Sequence, residues 1–324
     1  MNYSTTNISL SLRVPEYFEI LNSFNGALLI FFLTIGYLGN ILTVAILKLE
    51  IGLRSFTKSL LYMQAFWDTL ELLVPGTRYL LIIRNQFDIR SINVYFKWLH
   101  LYLTYLSIYV SVWHLCALSL ERMSLVLWPT NSFIRALSLK HVFVLNIIFI
   151  FSSSILNTNT YFDNDEQYLI STYVLLLSVL FIPFLIILIS TSIILYKIQT
   201  NIARVAPKSN QTQQQSPLFA IKMVIVISIY YFVSSIPSGI VLIFDNGYKY
   251  VFTDTFSQRS SYNLTTVLLI SNSAVKFYLY NLSTPHIRKI LYKILTRIRI
   301  GVCGSQVEIL RNVPENFNTE SVEK

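Results

Sequence analysis

Seven stretches of this chain stay apolar for about the 20 residues that a helix needs to cross a bilayer. They are residues 25–48, 57–83, 94–127, 139–157, 168–198, 218–244 and 261–283. A soluble helical core does not call for so many runs of this length. The composition agrees: only 13% of the 324 residues are charged, about half the usual share, and 54% are hydrophobic. The expected fold is an all-α membrane protein, a seven-transmembrane helix bundle spanning residues 25–284. An N-terminal segment, 1–24, precedes it. Residues 285–300 follow as a short amphipathic eighth helix on the membrane surface, and 301–324 form a tail. Pro75, Pro183 and Pro237 fall inside spans, where they kink helices and free carbonyls that neighbours must re-satisfy.

Charge orients the bundle. Lys48, Arg54, Lys58, Arg135, Lys140, Lys197, Arg204, Lys208 and Lys222 lie in alternate connections, and Arg288, Lys289, Lys293, Arg297 and Arg299 follow the last span. Basic excess marks the cytoplasmic side, so the C-terminus is expected inside and the N-terminus outside. The net +9 therefore reflects membrane orientation and does not call for nucleic acid. The sequons at Asn2 and Asn7 fall on the outer segment and are candidate glycosylation sites. The first 24 residues lack a basic stretch followed by an apolar one, so no cleaved leader is expected. Of the two cysteines, Cys116 lies within a span and Cys303 follows the basic amphipathic segment, where palmitoylation is the functional reading and an inert thiol the other. The four histidines are scattered, without metal-ligand spacing, and no Gly-rich phosphate loop occurs. No enzyme chemistry, cofactor or metal is expected.

Ionisable residues at membrane depth are costly and point to function. Here they are Asp68, Glu71, Glu121, Arg122 and Lys276, with Asn40 and Asn272 adding amides. Several of these stand in recognisable surroundings: "GYLGN" ending at Asn40, "LYMQAFWD" ending at Asp68, "SLERMSLVLWP" around Glu121 and Arg122, and "NSAVKFYLY" ending at Tyr280. Their order across seven spans resembles the rhodopsin-like (class A) G-protein-coupled receptors, with invertebrate neuropeptide receptors of the FMRFamide kind as the nearest flavour. "PHIRKILYKILTRIRI" resembles the family's surface-lying eighth helix. The resemblance covers about residues 25–300.

The departures from that pattern are specific. Lys97 stands where the family's disulfide cysteine is expected, and the second outer loop, "NTNTYFDNDEQY", has none. The fourth-span tryptophan is missing. The sixth-span Cys-Trp-x-Pro reads Ser234-Ser235-Ile236-Pro237, Met123 replaces a tyrosine, and the seventh-span Asn-Pro reads Lys276-Phe277. The resemblance implies a sodium pocket at Asp68, Ser111, Asn272 and Ser273. With Lys276 beside it, the expectation is a tethered cation: the ammonium occupies the sodium site and donates to Asp68 and Ser111. Snorkelling of Lys276 to lipid phosphates is the alternative.

On the outer side, Thr104 occupies the position of the aspartate that binds amines in aminergic members, so a biogenic amine is disfavoured. Trp98, Tyr102, Tyr105 and Tyr109 recur at helical spacing and are read as cavity lining or as packing. Trp98, Thr104, Tyr105 and Ser235 are the candidate ligand contacts. Asp163, Asp165 and Glu166 give an acidic outer loop that favours a basic ligand, and a peptide is preferred. On the inner side, Glu121 and Arg122 are read either as an interfacial ion pair or as a latch that opens to expose Arg122 to a partner. The resemblance implies that Arg122 contacts a heterotrimeric G protein, with Tyr280 packing nearby. Two other readings stay open. One is an ion- or proton-coupled transporter or channel that uses Asp68 and Lys276. The other is a degenerate receptor that binds without signalling.

Overall fold

A backbone surrounded by hydrocarbon must satisfy its own polar groups, and the described residues of the computed structural model do so mainly with helices. It describes residues 16–49, 53–158, 173–174, 176–205, 226, 229–241, 255–281, 288, 291–293 and 296. Among these residues no strand occurs. Helix α1 is Glu16–Leu49 and α2 is Ser55–Glu71. A π-turn, Leu72–Gly76, joins α2 to α3, Thr77–Asn85, and the three together make the second span. Then come α4, Val94–Leu127; the short α5, Ser132–Ala136; and α6, Leu139–Thr158. A second π-turn, Leu177–Phe181, leads into α7, Ile182–Val205. Helices α8, Ile229–Val241, and α9, Thr255–Asn281, complete the described part of the bundle. Beyond α9, Arg288, Leu291–Lys293 and Thr296 are helical.

The chain is thus a multi-pass helical membrane protein. Among the described residues, four helices are long and apolar enough to cross a bilayer by length and hydropathy alone: α1, α4, α6 and the π-turn with α7. The second span falls short because of its internal charges, Asp68, Glu71 and Arg78. Helix α1 starts nine residues before the expected boundary. Its 34 residues rise about 50 Å, more than the hydrocarbon thickness, so its first turns extend beyond the apolar layer.

Helix α6 shows how a lipid-facing helix reads. Val142, Asn146, Ser153 and Asn157 are buried, at spacings of 4, 7 and 4 residues along one stripe. The opposite face shows Phe143, Val144, Ile147, Ile148, Phe151 and Ile155 to the exterior. Polar groups are inside and apolar ones outside because the surrounding solvent is hydrocarbon. On the buried stripe, Trp67 of α2 donates its indole N–H to Asn146 Oδ1 at 2.7 Å.

Small residues set how closely α1 and α9 pack. A Cβ on Gly36 would lie 3.0 Å from the Ala274 Cα, and one on Gly39 would lie 2.8 Å from the Phe277 Cβ. Leu29, Leu33, Leu72, Val267, Ile270 and Ala274 fill the space above them.

Both π-turns contain or precede a proline. Pro183 has no N–H for the carbonyl four residues earlier, which belongs to Val179. The Tyr231 hydroxyl of α8 donates to that carbonyl. One residue earlier, the Trp113 indole of α4 donates to the Ser178 carbonyl at 3.1 Å. A helix break in the fifth span is therefore repaired by side chains from the third and the sixth. Tyr231→Phe leaves the Val179 carbonyl buried without a donor, an expected loss of about 1–3 kcal/mol. The measurement is the thermal midpoint of the purified chain, which is expected to fall. An unchanged midpoint would show that water substitutes for the phenol without cost.

Candidate functional site

The polar interior is built around Asp68, placed on α2 by a helical register that also points Gln64 and Glu71 inward. Asp68 is 2% exposed and Lys276, on α9, 5%. The Lys276 ammonium donates to Asp68 Oδ1 at 2.7 Å and to the Ser111 hydroxyl at 2.8 Å. Ser111 on α4 donates onward to Asp68 Oδ1 at 2.5 Å. Gln64 Nε2 bonds both Asp68, at 2.9 Å, and Ser111, at 3.1 Å, while Ser273 reaches Asp68 at 3.3 Å. One carboxylate thus ties the second, third and seventh spans together. Charged hydrogen bonds of this kind are stronger where water is excluded.

Two of the residues expected here lie outside the cluster. Asn40 donates to Thr69 at 3.1 Å rather than to Asp68, although both line the same small cavity. Asn272 is buried, but no hydrogen bond joins it to the cluster, and its Oδ1 has no partner among the described residues. The cavity holds about 30 Å³ between Asn40, Thr43, Gln64, Asp68 and Lys276, enough for a water molecule and little more. Glu71, one turn from Asp68, is equally buried, and its Oε2 has no hydrogen-bond partner among the described residues. Periodicity gave it no role. Its distance of three residues from Asp68 was the available signal.

At the other end of the bundle, Glu121 is fixed by α2 and not by its neighbour in sequence. The Thr57 hydroxyl donates to Glu121 Oε1. The Arg54 guanidinium stands 3.6 Å from the same oxygen and also donates to the Ile134 carbonyl of α5. Arg122 takes no part in this contact, and among the described residues it has no ion-pair partner. Adjacent helical residues point about 100° apart, which is why Glu121 turns into the bundle while Arg122 does not face it. The side chain of Tyr280 lies outside the described residues, as do Asn2, Asn7, Asp163, Asp165, Glu166 and Cys303.

The aromatic stripe of α4 divides. Tyr102 bonds Ser154 at 2.7 Å, and the Tyr109 hydroxyl accepts from Ser152 at 3.2 Å, so both face α6. Periodicity identifies a face of α4 but not which neighbour covers it, and α4 is the most enclosed of the long helices. Trp98 and Tyr105 are half-buried. Thr104 is buried and donates to the His100 carbonyl at 2.8 Å. Ser235 is 4% exposed, and its hydroxyl has no partner among the described residues.

Between α3 and α4, Arg78 and Asp88 make a two-bond ion pair, Nε to Oδ1 at 2.9 Å and a terminal nitrogen to Oδ2 at 2.5 Å. Those bonds, with a backbone N–H from Arg90, hold the Asp88 carboxyl down at about 2. Because its pKa is depressed, its contribution to stability is present above the ordinary carboxylate range and is lost only as pH falls toward 2. A cavity of about 350 Å³ adjoins the pair, lined by Arg78, Tyr79, Ile82, Gln86, Asp88, Tyr262 and Asn263.

Residues 154–296 match a family described as serpentine type 7TM GPCR chemoreceptor Srw. The matched stretch is 143 of the 324 residues and runs from the end of α6 past α9. It contains Ser235 and Lys276 but neither Asp68 nor Arg122. A search of curated proteins finds no match. The second half of the chain is therefore similar to a family of seven-helix G-protein-coupled chemoreceptors, which supports a receptor fold and function for it.

Proposed function

We propose that the chain is a cell-surface receptor that carries the binding of an extracellular ligand to a heterotrimeric G protein. The similarity of residues 154–296 to serpentine chemoreceptors supports it. The observation that carries it furthest is the inner end of the bundle: Glu121 held by Arg54 and Thr57, beside an Arg122 with no ion-pair partner among the described residues. The basic connections support a cytoplasmic C-terminus and an outer N-terminus. The finer assignment is a rhodopsin-like receptor related to neuropeptide receptors, with Arg122 and Tyr280 at the G-protein surface, Asn2 and Asn7 glycosylated, and Cys303 palmitoylated. In this reading Lys276 acts as a built-in cation where relatives bind sodium, and helix packing shifts between inner-closed and inner-open states that the ligand binds unequally.

The latch has a direct test. Arg54→Ala removes the cation beside Glu121 and the donor to the Ile134 carbonyl. Basal nucleotide exchange by a co-expressed G protein is expected to rise several-fold, because a coupling of about 1–2 kcal/mol shifts a two-state population by that much. Ligand screening with peptides and small molecules, read by second messengers, tests the receptor assignment itself. Basal exchange that stays flat in Arg54→Ala, with no ligand response in wild type, would favour the degenerate receptor.

One observation favours a second reading. Glu71 adds a second buried carboxyl group one turn from Asp68, and the Asp68–Lys276 pair borders a water-sized cavity, as an ion or proton relay would require. Current or uptake that vanishes in Lys276→Met would support the relay, and ligand-stimulated nucleotide exchange the receptor.

A further inference from the structure

Arg90 leaves the connection between α3 and α4 and folds back onto the outer end of α4. Its Nε–H donates to His100 Nδ1 at 3.1 Å, and a terminal nitrogen donates to the Thr104 hydroxyl at 3.4 Å. A guanidinium only donates, so His100 Nδ1 must be the accepting, unprotonated nitrogen. The other ring nitrogen lies 3.1 Å from the Val74 carbonyl and therefore carries the proton. His100 is thus a neutral imidazole held in one tautomer. Thr104 gives its own proton to the His100 carbonyl and offers Arg90 only a lone pair. Neither partner brings negative charge.

The only nearby carboxylate among the described residues is Asp88, and Arg78 takes both of its oxygens. What Asp88 gives Arg90 is an oxygen for the backbone N–H, at 3.0 Å. Arg78, Arg90 and Asp88 together carry one surplus positive charge. Burial already weighs against the Arg90 charge, and the neighbouring Arg78 charge adds to that penalty. A half-buried guanidinium with only neutral partners and several unassigned N–H groups is an incomplete anion site. It is also fixed in place, because His100 and Thr104 hold two corners of the fork.

We propose that Arg90, steadied by His100 and Thr104, is the anchor for a carboxylate on the extracellular ligand. The inference rests on the receptor reading above and narrows it. The charge requirement is opposite to the one an acidic outer loop suggests. The carboxylate comes either from a small free organic acid or from the C-terminus of a peptide. A cavity of about 350 Å³ is lined by Arg78 and Asp88, and Asp88 accepts the Arg90 backbone N–H.

The test uses the full chain purified into nanodiscs of zwitterionic lipid, read by thermal midpoint and by equilibrium binding. One arm titrates short-chain monocarboxylates and dicarboxylates. The other titrates a peptide library in paired forms, free acid against C-terminal amide. At least one carboxylate is expected to raise the midpoint saturably, and its uncharged amide is not. Arg90→Gln is expected to weaken that binding at least roughly ten-fold, the size of a charged hydrogen bond. Arg84→Gln, on the exposed end of α3, is expected to change nothing. If Arg90→Gln does not fold, Arg90→Lys carries the test: it keeps the charge, loses the fork, and is expected to bind several-fold more weakly. Equal binding of acids and amides, unaltered affinity in both Arg90 variants, or no midpoint shift in either arm would overturn the proposal. Binding needs no G protein, so carboxylate recognition without stimulated nucleotide exchange would reject the receptor assignment and leave this site standing.

Discussion

Asp68→Asn alone is expected to remove most of the folded chain from the cell surface, and adding Lys276→Met is expected to bring much of it back. The single change leaves the Lys276 ammonium buried, with only Ser111 and an amide as partners. Removing one member of a buried ion pair costs about 3–5 kcal/mol, whereas replacing both with neutral groups of similar volume is close to neutral. Net stabilities of roughly 5–15 kcal/mol make the first loss severe. Lys276→Met alone is the third corner: it strands the carboxylate, though Ser111, Ser273 and Gln64 still donate to it, so its loss is expected to be smaller. Surface labelling and thermal midpoints of all three variants give the coupling energy directly. A double variant no better than Asp68→Asn would mean the two charges do not support each other.

Gly36→Leu is expected to be nearly as damaging, for a steric reason. The first added carbon already lies 3.0 Å from the Ala274 backbone and 2.6 Å from a Leu72 methyl. The methyl can rotate away; the backbone cannot. Gly36→Ala is expected to cost about 1–3 kcal/mol as overpacking, and leucine more, because α1 and α9 must part along their length. Separating them also moves Lys276, which shares α9 with Ala274, so signalling should fall beyond the loss of surface expression. Wild-type expression of Gly36→Leu would show that α1 and α9 are not packed here as described.

The sequence makes the bundle legible because hydrocarbon imposes one simple rule, that apolar length makes a helix. It makes Asp68 and Lys276 legible as a candidate pair because interior charge is scarce and each needs a partner. It was less informative wherever the answer depends on which helix lies alongside. Glu121 reads as the partner of Arg122 by adjacency, yet the guanidinium that approaches it comes from Arg54, more than sixty residues earlier. Tyr102 and Tyr109 read equally as cavity lining or as packing, and only the serines of α6 that they face decide for packing. Arg90 reads as one of several loop cations, and only its fold-back onto His100 distinguishes it from Arg84. Glu71 was visible as an interior acid, but its lack of a hydrogen-bond partner at one oxygen is a fact of packing.

The phenol that caps the Val179 carbonyl has a mechanical consequence. Pro183 leaves the fifth span with a carbonyl that its own helix cannot satisfy, and the donor belongs to the sixth. An outward swing of α8 alone would strip that carbonyl bare in a dry interior. The two helices must therefore travel together, or a water molecule must slip in as they separate. Under the receptor reading, gating in this bundle becomes a question of wetting, with one hydroxyl deciding when the seam between two helices opens.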